Sequence, residues 1–574
     1  MGETVVREWI FMKIEINRSG GKAVLRGNTG MFLDGAHCAI DGGLYAEMLE
    51  NRNFEAKKAH TEGDSVKYED DGGYAWEPYP AGADVLLKIK TDRALFFENR
   101  HYMRVAANAP MAGIKNRAYD GIFLKKGAGY RISFYARSYD YKGAAIVGIF
   151  QGGAPLFVKK LKFKADGKWK KYAFRFKSKA DCDRAEFAFL LNKAGIVHVD
   201  CFSMMPENAV LGVFRRDLFE KLKALKPGFV RFPGGGEGAL WKASIGQPER
   251  RKYLPGPSAA KETHACRTLG VGYYEYFRLC ELIGAKPVPV VNTGDGDLSC
   301  DALETRIQDA LDVAEFARGG TDTVWGRARA ETGHTAPFAL EYLALTGGEK
   351  DLNHERLALF ESRLHEKYPD LKIVYGGDSH LVPPEEMYRL ADARQSPTAD
   401  YAAYPAGDGM EGALAEAAFL TGAERNPDRI LLTSYANALA RVGYGENVPA
   451  LVRFDGKKSF ATASYYVLQF WSLYTGNFSL FVSGAEGKIY ASATVRENMT
   501  FVKIVNASEE ETEAEIAGDF DFGSLTRIVR LEGGAGAWNT PTAPNTVSPE
   551  EIAPQFPRTA TLPPRSVNVL VFLK

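Results

Sequence analysis

Cysteine is scarce, with six in 574 residues, at positions 38, 182, 201, 266, 280 and 300. No two have CxxC spacing, so neither a zinc knuckle nor a disulfide framework is implied, and reduced, buried thiols are the default. Nine histidines occur without HExxH or paired spacing, which gives no metal site. Long apolar runs are missing too. No stretch approaches the ~18 residues that cross a bilayer, so no membrane span is expected. The first residues, Met1 to Met12, hold no apolar core followed by a small-residue cleavage site, so a cytoplasmic location is the expectation. Charge surplus is absent: Lys+Arg and Asp+Glu are both 72. Nucleic-acid binders carry a basic excess that neutralises phosphates, so no nucleic-acid partner is expected. The basic run Lys159–Lys164 alternates with apolar residues, as a strand with one solvated face does. The stretch Gly234–Gly238 lacks the Gly-Lys-Ser/Thr ending of a phosphate cradle. No cofactor is implied.

The chain exceeds the ~250–300 residues at which a single core stops growing, so several domains are expected. Periodicity separates four regions. Residues 1–55 hold a strand, a Gly-rich turn and the stretch Gly43–Arg52, which reads as helical. Residues 56–207 alternate with period two, as in Tyr130–Ser138 and Lys171–Ser178, and predict a β-sandwich. Residues 208–450 alternate short apolar runs with amphipathic stretches. Strands are expected at Phe229–Phe232, Pro287–Asn292, Phe338–Leu345, Lys372–Asp378 and Arg429–Tyr435. Helices are expected at Tyr273–Gly284, Leu303–Ala317, Leu357–Lys367 and Gly412–Thr421. Such repeats predict a parallel (β/α)8 TIM barrel, an α/β fold. Residues 451–574 return to alternation and predict a second, C-terminal β-sandwich, which the strand near Lys13–Asn17 completes.

A TIM barrel places its chemistry at the C-terminal ends of the strands. The polar residues there are Arg231, Glu237, Asn292 to Asp297, Thr346 to Asp351, Asp378 to His380, and the segment Pro397–Pro405. Trp325 and Trp241 are candidate platforms for a sugar face, although an aromatic residue is more often core.

Several stretches resemble the α-L-arabinofuranosidases of glycoside hydrolase family 51. They are Asp41–Glu55, Leu225–Gly235, Glu275–Pro287, Trp325–His334, Leu414–Asn426, Ser434–Ala436 and Ser464–Val467, and they run in the family's order over nearly the whole chain. The first sandwich, around Tyr74–Pro78 and Tyr102–Val105, resembles the inserted N-terminal carbohydrate-binding domain of some members. The resemblance implies a retaining glycosidase acting on arabinofuranosides or a related glycoside, a carbohydrate ligand and a homo-oligomer.

A retaining glycosidase needs two carboxyl groups about 5–5.5 Å apart. In this family the acid/base is a Glu directly after an Asn. In the matching segment, Tyr342–Lys350, a gap-free alignment sets Gly347 and Gly348 at the Asn and Glu positions, and sliding by one residue offers Glu349 with Gly348 in place of the Asn. The nucleophile is a Glu before Tyr-Ala, and Asp400 matches it. An Asp is one methylene shorter, and a misplacement of ~1 Å can cost ~100-fold in rate. The resemblance puts Asp34 where the family grips the sugar hydroxyls, Glu237 where it carries Asn or Cys after Gly-Gly, and Asn292 and His380 beside the pocket. Together these substitutions leave two alternatives to an active hydrolase. One is a non-catalytic carbohydrate-binding or scaffold protein, and the other a glycosidase with relocated carboxylates such as Glu237.

Overall fold

The computed structural model describes residues 10–574 apart from 25–26, 57, 63–64, 70–72, 234–237, 256–265, 295, 347–353, 376–378, 381–399, 404–406, 429 and 445–447. For 10, 58–62, 65–69, 238–240, 254–255, 266, 354, 379–380 and 400–403 it describes the backbone alone.

One sheet of eight parallel strands forms the centre. Its spatial order is Lys372–Tyr375, Tyr342–Thr346, Lys286–Asn292, Phe229–Phe232, Thr29–Phe32, Leu432–Tyr435, Asp400–Ala403 and Ser379–His380. Side chains alternate across these strands. Phe229, Val288, Val290, Tyr342, Ala344, Val374 and Leu432 form one buried cluster in the lumen. Their neighbours Val230, Phe232, Val291, Leu343, Leu345, Ile373 and Tyr435 pack outward with the helices. These are the two faces of a TIM barrel. The strand Lys372–Tyr375 pairs with Tyr342–Thr346 at one end of this order, and Ser379–His380 pairs with Asp400–Ala403 at the other.

The helices Arg216–Leu225, Tyr273–Ile283, Cys300–Arg318, His354–Lys367 and Met410–Arg425 cover the sheet. Two of their starts show why they begin there. Ser299 caps the third by accepting the Ala302 N–H at 3.3 Å. Glu275, in the first turn of the second, takes the Gly272 N–H at 2.9 Å and both arms of Arg251 at 2.8 and 2.9 Å. That buried pair fixes the loop after the second barrel strand. The barrel layer runs past residue 450: the helix Ala463–Leu473 contributes Tyr465, Val467, Leu468, Phe470 and Trp471 to the same core.

Two local expectations are corrected. The strand expected from Phe338 starts at Tyr342, and the Phe338 N–H is spent on Ala317 O of the helix Cys300–Arg318 at 2.7 Å. Gly43–Arg52 is not an α-helix. Gly42 stands at φ 81°, and a short five-residue turn at Ile40–Leu44 is followed by irregular chain. The Glu47 carboxylate holds Met204 N–H at 2.7 Å and Leu49 N–H at 3.1 Å, so tertiary hydrogen bonds replace helical ones.

The region 56–207 forms two packed sheets. One has the order Lys170–Lys177, Gly129–Arg137, Gly195–Pro206, Tyr102–Ala107, Val85–Lys90. The other runs Ala154–Lys162, Ala144–Gln151, Cys182–Leu191, Ala112–Asn116, Trp76–Tyr79, with Ile122–Leu124 beside it. Trp76, Phe134, Phe187, Phe189 and Phe202 fill the space between them. At the other end of the chain a nine-stranded sheet curls over Ile504, Ile516, Leu570 and Phe572. The strand Ile10–Ala23 lies inside it, antiparallel to Phe478–Ser483 and parallel to Thr512–Gly518. Its other face, through Val567, Val569 and Val571, packs on the barrel core. The buried Lys503 ammonium binds Glu424 of the helix Met410–Arg425 across that junction.

Candidate functional site

Strand register decides which residues share the barrel mouth. Arg231 stands opposite Phe32, and Asn292 opposite Thr346. Alternation from the lumen residues Phe229, Val290 and Ala344 turns Arg231, Asn292 and Thr346 inward at the C-terminal ends. Asp34 follows Phe32 by two residues and continues the same alternation, with Leu33 N–H still bound to Arg231 O at 2.9 Å. Four polar residues thus ring the mouth on adjacent strands.

Their geometry is well supported. The Asp34 carboxylate accepts Ala36 N–H at 3.3 Å and faces Arg267 at 3.6 Å. Arg231 is buried, its guanidinium 4.9 Å above the centroid of the Phe32 ring. Asn292 Oδ1 accepts Gly294 N–H at 2.6 Å, and Thr346 O accepts Thr293 N–H at 2.8 Å, so each strand end is tied to its loop. Asp41, beside them, takes the Thr268 N–H at 3.0 Å and the Thr268 hydroxyl. Burial raises the Asp41 carboxyl above its usual range, against the Thr268 hydrogen bonds and the charges of Arg52 and Arg267. Burial also lowers the His37 imidazole, with Asp34 opposing, and pushes the Cys38 thiol up to about 12. A cavity of about 30 Å³, lined by Gly35, Asp41, Phe232, Trp241, Arg267 and Tyr273, opens beside this group. That is room for one or two waters.

Gly42 and its neighbours hold Asp41 in place. The Gly42 φ of 81° suits a residue without Cβ, and an added Cβ would sit 2.7 Å from the Tyr119 ring. Arg441 donates to the Gly42 carbonyl from below.

Of the sequence candidates, Asp34, Arg231 and Asn292 meet at the mouth. Trp325 does not. It lies on the helix Val324–Glu331 with its ring 4.7 Å from Trp241 and Lys242 5.3 Å from its centroid. There it packs against Trp241 and Lys242. Trp241 is 1% exposed, and its Nε1–H has no acceptor among the described residues. By backbone register Asp400 stands opposite Leu432, and Ala403 stands opposite both Tyr435 and His380. Glu237 and Glu349 lie outside the described residues, as do the side chains of Asp400 and His380. Sequence reasoning missed Arg267 and Thr268. Asp41 stood in a quoted motif, and only the fold shows that Thr268, 227 positions away, binds it.

Two family models match the chain: an α-L-arabinofuranosidase 1 domain over residues 221–411 and an α-L-arabinofuranosidase C-terminal domain over 399–566. The chain is 31% identical over 500 residues to an extracellular exo-α-L-arabinofuranosidase of Streptomyces chartreusis, covering 76% of this chain and 58% of that protein. It is 29% identical over 518 residues to α-L-arabinofuranosidase 1 of Arabidopsis thaliana, covering 81% and 74%. The solved structure of an arabinose-bound α-L-arabinofuranosidase of glycoside hydrolase family 51 superposes with a TM-score of 0.86 at 22% identity. The superposition covers 98% of this chain and 100% of that one, which speaks to the fold. The chain belongs to the α-L-arabinofuranosidase family.

Proposed function

We propose that the protein is a glycoside hydrolase that removes α-L-arabinofuranosyl residues, or a closely related sugar, from a carbohydrate. The observation that carries the reading is the ring of Asp34, Arg231, Asn292 and Thr346 at the strand ends, in a chain of this family. A carboxylate, a guanidinium, an amide and a hydroxyl around one opening suit a polyol. The Asp34 carboxylate accepts from sugar hydroxyls, and Arg231 and Asn292 donate to ring and hydroxyl oxygens. Arg267, 3.6 Å from Asp34, stands beside that carboxylate.

Hydrolysis with retention further requires a nucleophilic carboxylate and an acid/base about 5–5.5 Å apart. Glu349 and Glu237 follow the ends of two mouth strands and are the carboxylates we assign to test. The second reading, sugar binding without turnover, draws on one observation: Gly348 and Asp400 stand where the family carries its Asn and its nucleophilic Glu. The five described cysteines, Cys38, Cys182, Cys201, Cys280 and Cys300, are unpaired thiols, which supports our proposal of a reducing, cytoplasmic setting.

The test is hydrolysis of an aryl α-L-arabinofuranoside by the purified chain alongside Glu349→Gln, Glu237→Gln and Asp400→Asn. Turnover lost in two of the variants names the carboxylate pair. A parent that is inert on a panel of aryl glycosides but binds arabinose supports the second reading.

A further inference from the structure

A second cavity lies away from the barrel mouth. A cleft of about 770 Å³ opens between the first sandwich and the barrel, on the far side of the Asp41–Gly43 turn. Its size falls in the ~300–1,000 Å³ range of ligand pockets. Lys125 comes from the sandwich, Arg215 and Arg216 from the start of the helix Arg216–Leu225, Arg441 from the floor, and Lys457 and Lys458 from the tip of a hairpin.

Four acids share the cleft, and each is already engaged. Glu47 is buried on Ser203 and Met204 N–H. Asp217 forms a two-pronged pair with Arg215 at 2.7 and 2.8 Å. Asp183 meets Lys457 at 2.9 Å across the rim, and Asp181 accepts Lys126 N–H. Lys125 has no ion-pair partner among the described residues; Arg216 donates through Nε to Asn208 O at 2.9 Å and meets one carboxylate, Glu220, at 3.4 Å. The helix Arg216–Leu225 starts in the cleft without a side-chain cap, so its positive end adds to the field. Arg441 is 3% exposed and already spent on Asp120 and the Gly42 carbonyl, so it forms part of the floor.

We propose that this cleft is a second carbohydrate site, one that holds an acidic glycan segment through several carboxylates while the barrel mouth takes the terminal sugar. With Arg215, Arg441 and Lys457 paired to Asp217, Asp120 and Asp183, the cations left for a ligand are Lys125, Arg216 and Lys458, on three separate elements, so a single small anion meets one or two of them while a chain of uronate residues meets all three. Phe123 and Leu124 supply apolar wall between the charges, as sugar rings require. The choice of a glycan over another polyanion rests on the proposed function.

The experiment is calorimetric titration of the full chain with an oligogalacturonate, a neutral arabino-oligosaccharide and inorganic tripolyphosphate, with Lys125→Glu/Arg216→Glu in parallel. A Glu at the first helical position suits the helix dipole, so the variant is expected to fold, and its thermal transition checks this. The expected result is oligogalacturonate binding that weakens with salt and falls about tenfold in the variant. Turnover of a small aryl arabinofuranoside stays unchanged. Absence of oligogalacturonate binding at millimolar concentration, or equal binding by parent and variant, overturns the proposal. Equal or tighter binding of tripolyphosphate at the same residues also overturns it, leaving a general polyanion site. A parent inert on aryl arabinofuranosides that still binds oligogalacturonate refutes the proposed activity and leaves this site standing.

Discussion

Glu416 sits in the middle of the helix Met410–Arg425, 2% exposed, with Oε2 meeting no donor among the described residues. Burial alone pushes its carboxyl up to about 8, from 4.5 for the free side chain. The folded chain therefore keeps this proton up to about pH 8, while the unfolded chain releases it above about 4.5. Over that interval the folded state binds more protons, so stability falls as pH rises, by about 1.4 kcal/mol per unit at full slope. From pH 5 to pH 7 this single group removes about 2.7 kcal/mol. Glu416→Gln is nearly isosteric and does not titrate. The stability difference between variant and parent should therefore move in the variant's favour by about 2.7 kcal/mol between pH 5 and pH 7. Most other groups cancel in the difference; Tyr435 is the titrating neighbour that feels Glu416, and it stays protonated throughout. Urea unfolding followed by tryptophan fluorescence, at four pH values, reads it directly. Parallel profiles for parent and variant would refute the reasoning.

Three further outcomes are expected. Lys503→Met leaves Glu424 buried without its ammonium, holding only the Ser492 and Thr475 hydroxyls, and should cost about 3–5 kcal/mol in the same unfolding assay; a loss under 1 kcal/mol counts against the pair's role at the sandwich junction. Gly42→Ala meets both a positive φ and the Tyr119 ring, so a cost of about 1–3 kcal/mol is expected, seen as a lower Tm. Asp34→Ala removes a charged acceptor from the mouth and should weaken arabinose binding about 10–100-fold by calorimetry, with Tm little changed.

Much of the barrel was legible in the sequence because buried parallel strands and amphipathic helices leave distinct periods. That reading located the strand carrying Arg231 and the one ending at Asn292, and hence part of the mouth. What sequence did not carry was convergence in space. Thr268 and Arg267 belong to a segment with no motif, and they matter only because the fold brings Asp41 and Asp34 to them. Gly43–Arg52 has a helical pattern, yet Glu47 and the Gly42 backbone draw it into irregular chain. Asp400 matched a motif, but a motif does not state register. The pairing of Ala402 with Ser434 is read only from the fold. Trp325 was judged by residue type, and its place against Trp241 depends on how one helix packs on another.

The central claim is that the mouth ringed by Asp34, Arg231, Asn292 and Thr346 takes an arabinofuranosyl group for hydrolysis. The most direct test is kcat/KM on an aryl α-L-arabinofuranoside for the parent chain and for Asp34→Ala, measured side by side. The account predicts turnover by the parent and a loss of about 100-fold or more in the variant. An inert parent, or a variant that matches it, would contradict the claim.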